Sequence, residues 1–206
     1  MYGFTKILTI SLLLTLGNAV LAQEQDNSPH QLITSVATKL FSRLSDQQDQ
    51  LKTDPMLVKE IVEQELMPYV DYRYAAYKIL GKNLRKTSKE ERDNFALAMK
   101  DYLTVIYVSA LRQYKNQRVS FQEPTKPVKG KIAVVRAIIS EAGAPNISLD
   151  FKLRQDKNNQ QWKAFDMVIE GISMINAKRS EINARISASS IGQVTEELVR
   201  LSSKKL

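Results

Sequence analysis

The chain of 206 residues contains no cysteine and one histidine, His30. Without cysteine it can form no disulfide, and it lacks the lipid-accepting cysteine that anchors a bacterial lipoprotein. A zinc or copper site would have to be built almost entirely from carboxylates, which suit harder metals. A Ser-His-Asp hydrolase would need His30 as its imidazole, and the sequence has no GxSxG turn to hold the serine. These absences disfavour both kinds of chemistry.

Glycine is also scarce. The chain has seven glycines, and they are scattered singly along it. They form neither a Walker A sequence nor a GxGxxG turn, so no loop is evident that could hold the phosphates of a nucleotide. The net charge of +8 is dispersed along the chain, and no nucleic-acid-binding motif accompanies it. We therefore expect no nucleic-acid partner, although such a charge suits weak contact with anionic surfaces.

Long apolar runs are absent apart from one near the N-terminus. Ile7 to Leu16 follow Lys6, and small residues close the segment at Ala22. This arrangement is typical of a secretory signal peptide over residues 1–22. The run is shorter than the roughly 20 apolar residues that a membrane-spanning helix needs. We predict an exported, soluble protein whose residues 23–206 form one domain.

Apolar side chains recur with helical spacing from about residue 28 to residue 114. Ser28 and Ser88 are placed to cap helices, the second as a capping box with Glu91. Asp54 is placed to cap another helix, and Pro68 should end or kink it. The predicted helices cover about 28–44, 54–68, 69–81 and 88–114.

Period-two alternation replaces the helical pattern after residue 118, most clearly where Ile147, Leu149, Phe151 and Leu153 alternate with polar residues. Short turns between successive strands imply antiparallel pairing. Helices recur at about 172–202, so the expected class is α+β. The predicted strands are about Arg118–Gln122, Lys131–Ser140, Asn146–Gln155 and Gln161–Ile169.

Two carboxylates, Asp166 and Glu170, stand near the end of the last predicted strand, where a sheet covered by helices could raise a pKa for acid or base catalysis. A structural role for Asp166, in capping or in pairing with Arg136 or Lys163, is the stronger interpretation. We therefore assign neither carboxylate a catalytic role.

Two segments resemble one protein family. The sequence IVEQELMPYVD at 61–71 is similar to the hallmark segment of MlaC-like periplasmic phospholipid-binding proteins, also called the toluene-tolerance auxiliary family. The sequence WKAFDMVIEGISM at 162–174 is the most specific part of the likeness, which extends over about 29–200. One departure is Phe165, where members of the family often have tyrosine.

The resemblance implies an NTF2-like curved antiparallel sheet, here of four strands, packed with a helical subdomain that helps to bury lipid tails. It further implies a carrier that is not an enzyme, has no cofactor, and shuttles phospholipid to maintain outer-membrane lipid asymmetry. The implied partners are an outer-membrane lipoprotein–porin complex and an inner-membrane ABC transporter with an MCE-domain subunit. We expect the carrier to be a monomer.

Apolar residues with helical or strand spacing are the candidate tail contacts, because large flexible side chains suit a tolerant pocket. Three basic residues on one helix are candidates for contact with a headgroup or a partner. The candidate tail contacts are Leu66, Val70, Leu80, Met99, Leu103, Tyr107, Val135, Phe151, Phe165, Met167, Ile169 and Ile172. The candidate basic contacts are Arg73, Lys78 and Lys82.

Two other functions fit the same pattern. One is an NTF2-like isomerase or hydratase that uses Asp166 or Glu170 in the pocket. The other is a periplasmic interaction adaptor without a cavity, because periodicity alone does not distinguish a filled core from a ligand pocket.

Overall fold

The structure, a computed structural model, describes residues 28–54, 56–114 and 117–204. The predicted signal peptide therefore lies outside the described residues. The first helix begins where predicted, because the Ser28 side chain accepts the N–H of Gln31 at 3.1 Å. The helices are α1 Pro29–Asp46, α2 Gln48–Thr53, α3 Leu57–Ile61, α4 Tyr72–Leu80, α5 Lys89–Leu111, α6 Met174–Ala188 and α7 Ile191–Lys204.

The segment predicted as one capped helix, 54–68, is built differently. Asp54 does not cap the start of this helix: it is the C-cap residue of α2, and its Oδ1 accepts the N–H of Met56 at 2.9 Å, one residue before α3. The helix then widens into a π-helical turn, Val62–Leu66, and tightens into a 3-10 turn, Met67–Tyr69. Pro68 lacks an N–H and cannot continue an α-helical hydrogen-bond ladder. The chain therefore leaves the helix before α4 begins.

Helix α4 starts at Tyr72 rather than at Tyr69, because Asp71 is its N-cap and accepts the N–H of Tyr74 at 3.0 Å. Helix α5 has the predicted capping box, in which Ser88 and Glu91 bond to each other's backbone N–H. It ends at Leu111, three residues before the predicted end. Side-chain caps thus fix where α4 and α5 begin.

All four predicted strands are present, each within one residue of its predicted bounds at either end. They join in sequence order into an antiparallel sheet with a fifth, unpredicted strand of two residues. The register shifts between Lys152 and Leu153, a bulge that bends the sheet. The strands are β1 Arg118–Phe121, β2 Ile132–Ser140, β3 Ile147–Gln155, β4 Trp162–Ile169 and β5 Ile172–Ser173.

A tight hairpin joins β4 to β5. Its two turn residues, Glu170 and Gly171, have φ values of 47° and 81°, the pattern of a type I′ turn. The Glu170 carboxylate accepts the N–H of Ser148, and the Glu170 N–H bonds to the Ser148 carbonyl at 3.0 Å. Residues 172–173 therefore extend the sheet instead of opening the predicted closing helix.

The largest buried cluster lies among α4, α5, α6 and α7 and is called here the helical core. It contains Phe95 and Met99 from α5, Ile182 from α6 and Leu198 from α7. Helix α1 lies instead against the sheet, where Ile33 packs with residues of β2, β3 and β4. Two of the buried clusters in the described ranges are thus one between helices and one between a helix and the sheet.

Gly81→Ala is expected to lower the free energy of unfolding by about 1–3 kcal/mol, because φ is 53° and ψ is −117° at this position. An added Cβ would make only ordinary contacts, the nearest at 3.5 Å from the Arg179 side chain, so the cost comes from the backbone. Urea denaturation would measure it.

Gly192→Ala is the matched control, because Gly192 lies in α7 and an added Cβ would approach only Ser190 Oγ, at 3.7 Å. Its stability should stay the same or rise slightly, since alanine favours a helix. Equal losses in the two variants would contradict the conformational explanation.

Candidate functional site

One face of the sheet presents a continuous apolar surface, called here the inner face. Ala133, Val135 and Ala137 of β2 point to it, since these alternate residues are buried and their neighbours on the strand are exposed or half-buried. Residues opposite each other in antiparallel strands share a face, so the register extends this surface across the sheet. It continues through Leu149, Phe151, Leu153, Met167, Ile169 and Ile172.

Burial of the inner face falls from β2 towards β5. In one cross-strand row Val135 is 3% exposed, whereas its neighbours Phe151 and Met167 are only half-buried. The next row runs from Ala137, fully buried, through half-buried residues to Ile172, which is 61% exposed. Apolar side chains on this part of the sheet are therefore accessible to a ligand.

Helix α1 covers the other end of the inner face. Ile33 packs there against Ala133, Leu153 and Trp162, all of them buried. The spacing of apolar residues in α1 puts them on one side, where Ile33 packs on the sheet and Leu40 and Leu44 pack against Ile61 of α3. The covered end is a packed core, and the accessible end is the candidate site.

A second apolar cluster adjoins the sheet at the edge of β4. It contains Val58, Val62 and Val70, with Leu66 and Tyr107 packed against it. Val70 forms a bridge with Ala164 of β4, and the N–H of Asp71 donates to the Ala164 carbonyl at 2.7 Å. The hallmark segment 61–71 thus attaches this cluster, called here the edge cluster, to the sheet.

Polar contacts fix the same junction. Arg154 Nε donates to Asp71 Oδ2 at 2.6 Å, and the Arg154 guanidinium lies 4.4 Å from the centre of the Tyr74 ring. Phe165 meets Tyr74 edge to face at a centroid distance of 5.1 Å. Because its ring packs on α4, Phe165 contributes to the helical core and not to the inner face.

The twelve predicted tail contacts therefore fall into three groups. The inner face carries five of them, the edge cluster three and the helical core four. In the helical core, Leu80 and Met99 are fully buried. The inner-face group is Val135, Phe151, Met167, Ile169 and Ile172; the edge group is Leu66, Val70 and Tyr107; the core group is Leu80, Met99, Leu103 and Phe165.

Asp166 has a structural role in this fold. Its carboxylate accepts the hydroxyl of Ser173 at 2.8 Å and the N–H of Ile175 at 3.1 Å, at the start of α6. Its ion-pair partner is Lys152, at 3.3 Å, rather than Arg136 or Lys163 as predicted. Arg136 bonds instead to Asp150 on the neighbouring strand, at 2.6 Å.

Tyr107 lies close enough to Asp166 for their charges to interact. Burial, together with the smaller effect of the nearby Asp166 carboxylate, raises the pKa of the Tyr107 hydroxyl to about 12. The phenol is therefore neutral at any physiological pH. It can serve as an uncharged wall residue beside β4.

The predicted basic contacts lie on α4 and the 3-10 turn that follows it, Gly81–Lys86. Arg73 is bonded to Asp93, and Lys78 Nζ lies 5.7 Å from the centre of the Tyr74 ring. Lys82 is exposed and makes no ion pair with any residue in the described ranges. Of the three, Lys82 has the charge most available to a partner.

Two concave regions lie away from the inner face. The larger, about 550 Å³, is lined mainly by polar side chains of α1 together with Glu65 and includes none of the predicted tail contacts. Its polar lining makes it unsuited to acyl chains. The smaller, about 230 Å³, is lined by Leu44, Leu51, Val58 and Leu111 among others; Val58 belongs to the edge cluster, and Leu51 and Leu111 pack against it.

Within the described ranges, no group of three or more histidine or acidic side chains is placed to hold a metal ion. No helix in that part of the chain is long and apolar enough to cross a membrane.

Two parts of the candidate site were not predicted from the sequence. Leu149 lies beside Ala137 and Ile169 in the half-buried row, and its alternation with Phe151 could have identified it. The cover that Ile33 provides had no local signal, because periodicity does not reveal what a helix packs against.

Comparison with known proteins gives a consistent result. The MlaC protein family model matches residues 34–200. The intermembrane phospholipid transport system binding protein MlaC of Haemophilus influenzae is 34% identical over 151 residues, which are 73% of this chain and 71% of that protein. The toluene tolerance protein ttg2D of Pseudomonas putida is 25% identical over 170 residues, or 82% and 78% of the two chains.

A solved structure shares the fold. The phospholipid-binding protein from Ralstonia solanacearum, in complex with a phospholipid, has a TM-score of 0.74 at 18% identity, covering 85% of this chain and 97% of that one. This likeness confirms the predicted α+β class. With the family model spanning 34–200 and a relative at 34% identity, the chain belongs to the MlaC family.

Proposed function

We propose that this chain is a phospholipid carrier that binds acyl chains along the accessible part of the inner face. The observation that carries the proposal is the half-buried apolar surface formed by Met167 and Ile169, which lie outside the cluster that α1 makes with the sheet, together with Phe151 at the border of that cluster. The names of two similar proteins, one an intermembrane phospholipid transport protein and one a phospholipid-binding protein, support the same ligand.

The proposed tail contacts are the edge group and the inner-face group apart from Val135, which is buried in the same cluster as Ile33. Their two surfaces adjoin at the Val70–Ala164 bridge, so one ligand could contact both. The core group, which includes Leu80 and Met99, is packed among the helices and stabilises the fold. Because these contacts are apolar, selectivity for chain length and headgroup should be weak.

Transfer energetics favour a carrier of this kind. Burial of each methylene gains about 0.8 kcal/mol, so two long acyl chains gain on the order of 20 kcal/mol relative to water. A bilayer buries the same methylenes, and these large terms nearly cancel when a lipid passes from a membrane system to the carrier. Modest differences in affinity can then drive exchange.

The route that we propose is periplasmic. After removal of residues 1–22, residues 23–206 would form a single monomeric domain that exchanges lipid with an outer-membrane lipoprotein–porin complex and an inner-membrane ABC transporter with an MCE-domain subunit. Such a shuttle would maintain outer-membrane lipid asymmetry. Lys78 and Lys82 are proposed to contact a partner, whereas Arg73 is already paired with Asp93.

Native mass spectrometry of protein purified from the periplasm without detergent tests the proposal. One phospholipid per chain, identified after denaturation, is the expected result. Protein that is folded but consistently empty would overturn it and favour the adaptor function.

Asp166→Asn separates the carrier from an enzyme. The amide can still accept the N–H of Ile175 but loses the charge that pairs with Lys152, so we expect the free energy of unfolding to fall by about 1–3 kcal/mol. Thermal unfolding would measure the loss. Lipid content should not change, and turnover of a small apolar substrate that this variant abolishes would favour the enzyme instead.

A further inference from the structure

The outer face of the sheet carries exposed apolar side chains at the start of β2. Ile132 and Val134 are 51% and 56% exposed and point away from the inner face, since they alternate with the buried Ala133 and Val135. Val128, in the segment before β2, is 43% exposed. These three residues are called here the outer patch, and no acyl-chain site on the inner face uses them.

Exposed lysines flank the outer patch, along the chain and on a neighbouring turn. Lys126, Lys129 and Lys131 come from the segment between β1 and β2, and Lys157 comes from the turn between β3 and β4. The Gln155 N–H donates to the Lys131 carbonyl at 2.9 Å, so that turn lies beside the start of β2. All four lysines are exposed, and none forms an ion pair with another residue that the structure describes.

Nearby carboxylates do not neutralise these lysines. Asp156 lies 3.6 Å from Arg154 and accepts the N–H of Asn158 at 2.8 Å. Glu123 lies 3.8 Å from the His30 side chain. The four lysines therefore retain an uncompensated positive charge around an apolar centre.

The segment before β2 disfavours the pairing of a partner strand with the open edge of β2. The Gln122 N–H donates to the Arg136 carbonyl at 2.9 Å, so the chain is still paired with β2 at this point. Residues 123–131 must therefore return beside the open edge of β2 to reach Ile132. Pro124 and Pro127 in this segment cannot donate backbone hydrogen bonds, which protects the edge from pairing with another chain. The region is a protruding loop and a strand surface rather than a groove.

We propose that the outer patch and its lysines form a docking surface for an anionic phospholipid bilayer. Lysines attract the charged headgroups, and exposed apolar side chains between them can enter the interfacial layer. Contact of this kind is weak and reversible, as a carrier that must leave the surface requires. It would hold the protein near lipid without using the inner face, so it does not depend on the ligand proposed above.

Sedimentation with lipid vesicles tests this surface, using protein from which residues 1–22 have been removed by export. Vesicles that contain phosphatidylglycerol should bind the protein at low salt, and phosphatidylcholine vesicles should not. Raised salt should weaken the binding, because it screens exposed charges. Lys129→Glu/Lys131→Glu should weaken it by at least about tenfold, because both attractions become repulsions.

The matched control is Arg85→Glu/Lys86→Glu, which changes the net charge equally on an exposed turn of the helical part. It should change vesicle binding by less than about twofold. An Ile132→Trp variant reports on the outer patch directly. Its tryptophan fluorescence emission should shift to the blue only with anionic vesicles.

Failure of the unaltered protein to bind anionic vesicles at low salt would overturn the proposal and direct attention to an acidic protein partner. Equal losses in the two charge variants would also overturn it, because net charge would then explain the binding. Lipid content measured in the same samples keeps this result separate from the inner-face proposal.

Discussion

Met167→Glu is expected to lose its bound phospholipid while remaining folded. Met167 is half-buried on the inner face, beside Phe151 and in the part of the sheet that α1 does not cover. In the empty protein a glutamate there can turn towards water. Against acyl chains its carboxylate would lose that hydration at a cost of several kcal/mol, so occupancy should fall by more than about a hundredfold.

Native mass spectrometry after detergent-free purification measures the occupancy, and thermal unfolding monitors the fold. Met167→Leu is the control, because it keeps the volume and the apolar character and should retain lipid. A Met167→Glu protein with the same lipid content as the unaltered chain would move the acyl chains away from this face.

Local signals in the sequence predicted most of the fold. Ser28, and Ser88 with Glu91, marked two helix starts correctly because a capping side chain acts within three residues of its own position. The alternation around Phe151 fixed the longest strands to within one residue. These features depend on neighbouring residues, so a single sequence contains the information that determines them.

The hallmark segment 61–71 was harder to predict because its conformation depends on distant residues. The Val70 bridge reaches Ala164, and the Asp71 carboxylate holds Arg154, which is 83 residues away. No local pattern specifies a π-helical turn followed by a bridge. The strand β5 was missed for a related reason, since Ile172 fits the apolar spacing of the helix that follows it.

The candidate site likewise combines features that neighbouring residues determine with features that depend on distant packing. Met99 and Met167 are the same residue type, both in apolar patterns, yet one lies inside the helical core and the other on the half-buried inner face. Periodicity identifies the apolar side of an element but not what covers it. Only the packing of α1, α5 and α7 distinguishes the two positions, because it fills the space around Met99 and leaves Met167 partly accessible.

Met99→Glu should therefore behave in the opposite way from Met167→Glu, with a loss of about 4 kcal/mol or more in the free energy of unfolding. Met99 is fully buried in the same cluster as Phe95, Ile182 and Leu198, so its replacement cannot reach water without opening that core. Urea denaturation would measure the loss. Met99→Leu, which keeps the apolar volume, should cost less than about 1.5 kcal/mol.

The pH dependence of the stability of Met99→Glu tests whether the buried carboxyl group causes the loss. Burial in an apolar core raises the pKa of a carboxyl group above its unfolded value, which is about 4.3 for glutamate. The folded state then binds the proton more tightly than the unfolded state does. The stability deficit of Met99→Glu relative to the unaltered protein should be smallest below that unfolded pKa and should grow as the pH rises through the folded pKa. Met99→Gln, which has no titrating group, should show a deficit that does not vary in this way.

A Met99→Glu protein of unaltered stability that loses its phospholipid would instead put Met99 in contact with the acyl chains, and the helical core would then form part of the binding site.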